Sequence, residues 1–307
     1  MTLKKITFII IFLLFNLNVY SIENKILIKV DNEIITTVDI FKETQYLFAI
    51  NKIIKKLPKN KVFEIAKNLL IKKTIKEKEI SKYMNNINLD EKYTNQLIKS
   101  NALKLGFNST YEFKNHLKSF DIKIEDVKKR IITEILWNEL IINKYSKKII
   151  IDKEKIKKEI LLNDKKLKSF LLSEIVFDLP SGEKIEKKFK IIEDEISKNG
   201  FENTALIYSI SDTSSSGGKL GWIKEISLNK SIKEIILNLK IGEHTNPIKI
   251  PSGFLILKVK DIKETNEQLD IKKELERRIR NDKNQQLNQF SLLYYNKIKK
   301  NIKINDL

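Results

Sequence analysis

The stretch Ser209–Trp222, SISDTSSSGGKLGW, differs in composition from the rest of this chain. The 307 residues contain only eight glycines, and three of them, Gly217, Gly218 and Gly221, lie in this stretch. Glycine tolerates positive φ angles and lets the backbone approach another group closely, because it has no Cβ. The stretch therefore predicts a tight, polar loop, with a flexible surface loop as the simpler alternative.

Turn-forming residues are concentrated around this loop. Seven of the eight glycines and three of the four prolines lie between Pro180 and Gly253. Clusters of this kind are typical of short strands and helices joined by tight connections. Strands are predicted over 172–179 and on both sides of Pro251-Ser252-Gly253, and helices over 183–198, 201–208 and 231–239.

The preceding part of the chain is predicted to be mainly helical. Residues 26–35 predict two short strands around a turn at Asp31-Asn32, and Thr36 or Thr37 can cap the helix that follows. Helical spacing of apolar residues and capping signals predict further helices around 62–70, from Ser109, over 125–145 and over 152–162. In the helix over 125–145 the residues predicted to be buried are Val127, Ile131, Ile135 and Leu136.

After Asp261 the pattern predicts one long amphipathic helix and a closing strand at 301–304. Its predicted buried face consists of Leu275, Ile279, Leu287, Phe290, Leu293, Tyr294 and Ile298. A lone helix of this length is only marginally stable in water without a partner. We therefore expect one helical domain built from both termini, residues 22–165 and 263–307, with residues 166–262 inserted into it.

Composition excludes several function classes. The chain has 59 basic and 40 acidic residues, a formal charge of +19, but only four of the basic residues are arginines. Lysines alternate with acids along most segments, whereas nucleic-acid binders concentrate charge on one face and favour arginine. Nucleic-acid binding is therefore not expected. The absence of cysteine excludes disulfides and thiol chemistry, two histidines argue against a zinc site, and no P-loop spacing occurs. No cofactor or metal is expected.

The N-terminus has the pattern of a secretory signal. Lys4 and Lys5 precede the apolar run Ile6–Leu17, which is short for a membrane span. Small or short side chains at Val19 and Ser21 predict cleavage before Ile22, so that residues 1–21 are the signal peptide. An uncleaved membrane anchor is the alternative. Export to the periplasm is the expected localisation, with no stable membrane insertion after cleavage.

Two motifs carry a resemblance to a known family. The run Ser211–Trp222 and the segment from Leu239-Lys240-Ile241-Gly242-Glu243 to Ser252–Val259 resemble parvulin-type peptidyl-prolyl isomerases. Val30-Asp31-Asn32-Glu33-Ile34-Ile35-Thr36, the helices after it and the C-terminal helix resemble periplasmic chaperones of the SurA type. The resemblance implies an α+β protein, in which a mainly helical chaperone domain built from both termini carries an inserted parvulin-like α/β domain, a small antiparallel sheet flanked by helices.

The resemblance also assigns site positions. Family catalytic histidines correspond to Glu174 and Leu255, the loop cysteine or aspartate corresponds to Thr213, and the family serine is kept as Ser252. The remaining positions assigned to substrate binding are Leu220, Leu228, Ile232, Trp222 and Phe254. Three of four polar positions have changed, and a leucine neither donates nor accepts a hydrogen bond. We therefore expect weak or absent isomerase activity at Thr213 and Ser252.

A chaperone is the function that the resemblance implies. The expected partners are unfolded or nascent outer-membrane proteins and other exported polypeptides, with the outer-membrane assembly machinery as a further candidate. Aromatic residues of the helical part are candidates for the binding groove or, individually, for ordinary core packing: Phe41, Tyr46, Phe48, Tyr93, Phe113 and Phe120. The alternative function is an active peptidyl-prolyl cis-trans isomerase that accelerates proline-limited folding of exported proteins.

Overall fold

The computed structural model describes residues 23–52, 54–83, 90–162, 167–179, 182–265 and 270–307. The predicted signal peptide, 1–21, and the predicted junction at 165/166 lie outside these residues. The helices are α1 Thr37–Ile50, α2 Lys59–Ser81, α3 Glu91–Lys104, α4 Thr110–Lys118, α5 Ile124–Tyr145, α6 Lys153–Leu162, α7 Ile185–Asn199, α8 Phe201–Tyr208, α9 Lys230–Leu237 and α10 Ile271–Lys299. The strands are β1 Ile26–Val30, β2 Glu33–Thr36, β3 Leu167–Phe177, β4 Lys219–Lys224, β5 Ile248–Ile250, β6 Gly253–Thr265 and β7 Ile304–Asp306.

A three-stranded antiparallel sheet in the order β2-β1-β7 joins the two ends of the described chain. Asp31 lies in the turn between β1 and β2. Its φ of 52° is a conformation that aspartate tolerates better than most residues. On the other edge of β1, Val30 is opposite Ile304, and the Asp31 N–H donates to the carbonyl of Lys303 at 2.8 Å. The C-terminal strand is therefore part of the same sheet as the first strand.

The core of the helical part combines residues from both halves of the chain. Ile28 and Val30 of β1, Trp137 of α5 and Tyr295 and Ile298 of α10 belong to one buried apolar cluster. Helix α10 also stacks on α5 through Tyr145 and Phe290, whose ring centroids are 4.7 Å apart. Burial of these large side chains against each other stabilises the long helix that would be marginal alone.

The middle segment forms a four-stranded antiparallel sheet in the order β4-β3-β6-β5. Alternate residues of β3 point to opposite faces of the sheet. Ile175 and Phe177 pack against α7 and α8, whereas Leu172 and Val176 pack against α9. The central strands β3 and β6 are thus covered on both faces by helices.

Contacts across the junction connect the four-stranded sheet unit to the helical part. Leu206 of α8 belongs to the core of the helical part, and Leu292 of α10 belongs to the apolar cluster beneath α9. Lys61 of α2 also forms a salt bridge with Glu195 of α7 at 3.4 Å. The C-terminal helix therefore packs against both units.

The buried faces of α5 and α10 differ in part from the predicted ones. In α10, Ile298 is buried as predicted, but Leu293 is exposed, and Leu292 and Tyr295 are buried together with the polar residues Glu274, Arg278 and Ser291. In α5, Val127 is buried as predicted, but Ile131, Ile135 and Leu136 are only half-buried, and Trp137, Leu140 and Ile141 are buried instead. Each of the two helices packs against several other helices, so periodicity alone does not define one buried stripe.

The predicted fold class is confirmed: helices dominate, and two small antiparallel sheets accompany them. The closing strand begins at Ile304 rather than at 301, and β6 runs on to Thr265 before the last helix. Helix α3 had no counterpart in the predictions. The division into domains at 165/166 and 262/263 stays a prediction. No helix within the described ranges combines the length and the apolar character needed to cross a bilayer.

The hydrogen bond between α5 and α10 provides a stability test. The Trp137 Nε1–H donates to Ser291 Oγ at 2.8 Å, and both residues are buried. Ser291→Ala leaves this indole N–H without an acceptor, which we expect to lower the free energy of unfolding by about 1–3 kcal/mol. Ser197→Ala, at an exposed position of α7, is the control and should change it by less than about 0.5 kcal/mol. Equal urea midpoints for the two variants would contradict this role of Ser291.

Candidate functional site

The glycine-rich loop is tight because its backbone contacts β3 directly. Gly217, Gly218 and Gly221 have φ angles of 73°, 75° and 82°, all in the region that favours glycine. The Glu174 N–H donates to the Gly218 carbonyl at 2.7 Å. A Cβ on Gly218 would lie 2.0 Å from the carbonyl oxygen of Glu174. The loop is therefore not a flexible surface loop at this point.

Glu174 is the centre of a hydrogen-bonded group of side chains in the site. It points from β3 toward the loop, where its Oε1 accepts from Ser211 Oγ at 2.6 Å and from Thr213 Oγ1 at 2.9 Å. Burial raises the pKa of the Glu174 carboxyl above its ordinary value, although the two hydroxyl donors oppose this effect. The structure thus brings Glu174 and Thr213 together and adds Ser211, which sequence reasoning did not assign to the site.

Four predicted positions form the apolar wall. Leu220, Leu228, Ile232 and Leu255 belong to one cluster on the α9 face of the sheet. On β6, Leu255 is opposite Val176, and the next residue on the same face, Leu257, is opposite Glu174. The wall therefore adjoins the Glu174 group.

Of the other predicted site residues, the two aromatic ones lie apart from this wall. Ser252 is buried, and its Oγ has no hydrogen-bond partner among the described residues. Phe254 packs on Phe177 on the opposite face of the sheet, because neighbouring residues of a strand alternate. Trp222 is 42% exposed on the edge strand β4, beneath the ammonium group of Lys263. Neither aromatic ring belongs to the cluster that contains Leu220 and Leu255.

Asp212, next to Thr213, connects the loop to helix α2. Its Oδ1 accepts from Lys72 Nζ at 2.8 Å and from Lys76 Nζ at 3.2 Å, and Lys76 also bonds Glu134 of α5 at 2.7 Å. Burial by itself would raise the pKa of Asp212, but the two ammonium groups hold it below its ordinary value. The short helix Asp212–Ser216 is therefore held against the helical part by charge.

Lys76 is an unusual member of this group because only 1% of it is exposed. Burial alone would lower the pKa of Lys76, but the carboxylates of Asp212 and Glu134 raise it. Sequence reasoning missed this residue. A signal was present, since Lys72 and Lys76 continue the apolar stripe of Ile65 and Leu69 at helical spacing.

A cleft of about 220 Å³ lies between the helical part and the loop. Tyr46, Leu47 and Leu69 line it from the helical part and Ser214 and Ser215 line it from the loop, and six of its other lining residues are charged. The nearby guanidinium of Arg130 lies 4.1 Å from the Tyr46 ring centroid and pairs with the buried carboxylate of Glu43. The cleft therefore offers apolar, hydroxyl and charged groups to a ligand.

The six candidate groove aromatics have different surroundings. Phe41 and Tyr93 are exposed, at 44% and 45%, whereas Phe113 is fully buried in a small core cluster and does not form a surface. Phe48 and Phe120 are half-buried against core clusters. Tyr46 thus contributes to the cleft, and Phe41 and Tyr93 contribute to the exposed surface of the helical part.

The structure also shows where the two histidines lie. His244 is half-buried beside β6 and its ring is 6.4 Å from that of Phe201, so it faces away from the Glu174 group. The His116 Nε2 is 2.8 Å from the carbonyl oxygen of Ala49. Among the described residues no group of three potential metal ligands comes together.

Comparison with known proteins identifies the sheet unit. The rotamase family, described as a PPIC-type PPIASE domain, matches residues 175–261. The chaperone SurA of Pseudomonas putida is 22% identical over 185 residues, which are 57% of this chain and 43% of that protein. The foldase protein PrsA of Bacillus subtilis is 35% identical over 102 residues, 33% of this chain and 32% of that protein. The chain thus spans less than half the length of these curated relatives.

A solved structure gives a longer alignment. One of two structurally related SurA-like chaperones of Campylobacter jejuni aligns with 92% of this chain and 99% of its own, at 17% identity and a TM-score of 0.36.

The contact between Gly218 and β3 predicts a difference between two glycines. Gly218→Ala places a methyl group against the Glu174 backbone, whereas Gly221→Ala has nothing within 4 Å and suffers only from its positive φ. We expect Gly221→Ala to lower the free energy of unfolding by about 1–2 kcal/mol. Gly218→Ala should lower it by at least about 2 kcal/mol more. Urea unfolding of both variants measures the difference, and equal losses would show that the loop does not contact β3.

The raised pKa of Glu174 predicts a pH-dependent stability effect. Between its ordinary pKa of about 4.3 and its raised value, the unfolded state ionises Glu174 while the folded state does not, so this residue makes stability fall as pH rises. Glu174→Gln removes that dependence. The free energy of unfolding of the variant, relative to wild type, should therefore increase from pH 4 to pH 7. Glu186→Gln, at an exposed position of α7, is the control for the loss of a surface carboxylate. A Glu174→Gln difference that stays constant with pH would contradict the burial of this carboxyl.

Proposed function

Because this chain is a SurA-like protein that carries a parvulin-type domain, we propose that it acts as a chaperone for exported polypeptides. Unfolded outer-membrane proteins are the proposed main clients and the periplasm is the proposed location. The basic, apolar N-terminal segment supports export. Delivery of clients to an outer-membrane assembly machinery belongs to the same proposal.

One observation favours the chaperone function over catalysis. At the parvulin-type site, the face beside Glu174 is lined by Leu220, Ile232 and Leu255, so the position of one family histidine is apolar. Leucine offers no hydrogen bond to a twisting prolyl amide. The site retains the apolar surface that holds a proline-containing segment and has lost most of the polar groups that act on it.

The position of the glycine-rich loop against the helical part supports binding of a client by both units together. Asp212 is held by Lys72 and Lys76, and the cleft beside it is lined by Tyr46 and Leu69 from the helical part. A client segment in this cleft would contact the helical part and the loop at the same time. Extended client segments of outer-membrane proteins alternate apolar and polar residues, which suits a cleft lined by both apolar and polar side chains.

The energetics require only modest affinity. A protein that binds the unfolded state of a client lowers the concentration of chain that can aggregate, by mass action. A micromolar dissociation constant, about −8 kcal/mol, is sufficient for holding and still permits spontaneous release. Such a cycle needs no nucleotide, in keeping with a sequence that has no P-loop spacing.

A second candidate function is isomerisation of prolyl bonds. It is favoured by the Glu174 group, in which a half-buried carboxyl lies within hydrogen-bond distance of the hydroxyl groups of Ser211 and Thr213. These groups could reorganise to bind a twisted amide, for which an uncatalysed rotation must cross about 18–20 kcal/mol. Thr213 and Ser252 are the residues that would act in this reaction.

Parallel assays distinguish the two functions. We expect the protein to suppress aggregation of an unfolded outer-membrane β-barrel at near-stoichiometric amounts, including a barrel segment without proline. At catalytic amounts it should accelerate a proline-limited refolding reaction only weakly. Thr213→Ala and Ser252→Ala should leave the suppression unchanged. If they abolish a strong isomerase rate that exposed Ser231→Ala retains, the enzyme function is correct instead.

A paired substitution tests the helical surface in the same aggregation assay. Phe41→Ser combined with Tyr93→Ser removes two exposed aromatic rings and should reduce the suppression several-fold, since aromatic anchors dominate binding surfaces. Ile150→Ser, at an apolar position that is also exposed, is the control. If the double variant and the control suppress aggregation equally, the client does not bind at Phe41 and Tyr93.

A further inference from the structure

A second cavity lies in the helical part, away from the glycine-rich loop. Its volume is about 450 Å³, within the range of about 300–1,000 Å³ of small-molecule sites. The end of α2, the end of α5 and the last turns of α10 meet there. Ile298 and Ile302 provide apolar lining, and Tyr83 and Tyr294 provide aromatic rings.

The charges around this cavity do not balance. Four lysines line it, Lys78, Lys82, Lys144 and Lys297, against the two carboxylates of Asp31 and Glu79. Four ammonium groups and two carboxylates leave an excess of two positive charges. A pocket of this sign favours an anionic ligand.

Both carboxylates are already used by protein groups. Asp31 pairs with Lys78 and also accepts from the Lys303 N–H at 2.8 Å. Glu79 pairs with Lys82 at 2.8 Å and accepts from the Tyr294 hydroxyl at 2.5 Å. Within the described ranges, the remaining two lysines of the cavity form no salt bridge with a carboxylate.

Lys144 is nevertheless held in a defined position. Its Nζ lies 3.9 Å from the Tyr83 ring centroid and 5.0 Å from that of Tyr294. Cation–π contacts orient an ammonium group without neutralising it. The ammonium also lowers the pKa of the Tyr83 hydroxyl, mainly through a hydrogen bond. The cavity therefore contains a positioned cation that is available to an oxyanion.

We propose that this cavity binds a carboxylate of a polypeptide between Lys144 and Lys297, with the neighbouring apolar side chain against Ile298 and Ile302. The volume exceeds that needed by inorganic phosphate, and the apolar lining suits an organic anion. That the anion belongs to a polypeptide rests on the proposed chaperone function, whereas the oxyanion chemistry does not. Charge-assisted hydrogen bonds to two ammonium groups would provide the affinity.

Calorimetry with two probes tests the site. The purified protein is titrated with acetylated Ala-Phe-Ala-Phe that has a free C-terminal carboxylate, and with the same peptide amidated. We expect the free acid to bind about tenfold more tightly, a preference that falls at high salt. Lys144→Gln/Lys297→Gln should remove the preference. The control Lys187→Gln/Lys249→Gln loses the same charge at exposed positions of the other unit and should keep it.

Several outcomes would overturn the site. These are equal binding of acid and amide, a preference that survives in the Lys144→Gln/Lys297→Gln variant, or equal loss in the control. Tight binding of anionic lipid vesicles that the free peptide does not displace would assign the cavity to a membrane surface instead. Lys297→Gln alone, at an exposed position of α10, covers the case in which the double variant does not fold. If the site fails while aggregation is suppressed, the chaperone proposal stands; if peptide binds without suppression, the site stands alone.

Discussion

The pairing of β1 with β7 is the constraint on which the architecture depends. Once Val30 is opposite Ile304, the two ends of the described chain lie side by side, and α10 must return along α5 and α2. The first and last described residues of the four-stranded sheet unit also lie side by side, since Leu167 is opposite Thr265. A buried cluster that includes Ile28, Trp137 and Ile298 stabilises this closure, because apolar surface from distant parts of the chain is removed from water at one place.

The same closure determines what surrounds the candidate site. With α2 held in the helical core, Lys72 and Lys76 lie where Asp212 of the loop arrives. A lysine as deeply buried as Lys76 requires compensation by carboxylates, and Asp212 and Glu134 provide it from two different units. The loop is therefore positioned by the helical part as well as by its own glycines. Because both units position the loop, a ligand in the cleft beside it would contact both units.

The chemistry of the site depends on two positions, Leu255 and Glu174, at which the resemblance places histidines. Leu255 extends the apolar wall where the resemblance places a histidine, while Glu174 forms new hydrogen bonds with Ser211 and Thr213. A wall of this kind favours contact with apolar segments, and the half-buried Glu174 carboxyl, with its raised pKa, is a neutral hydrogen-bonding group over a wider pH range. Of the positions that the resemblance assigns, the apolar ones thus keep their character, whereas three of the four polar ones have changed.

The sequence alone determined the local features: the capped helices, the strands around Asp31 and the positive φ angles at Gly217, Gly218 and Gly221, since these depend on neighbouring residues. The family motifs also located Glu174, Thr213 and the apolar wall. Tertiary structure alone decided the buried face of α10, the placement of Phe254 and Trp222 outside the wall, and the ion pairs of Lys76. These depend on which distant surfaces meet, and periodicity within one element contains no information about a partner more than a hundred residues away.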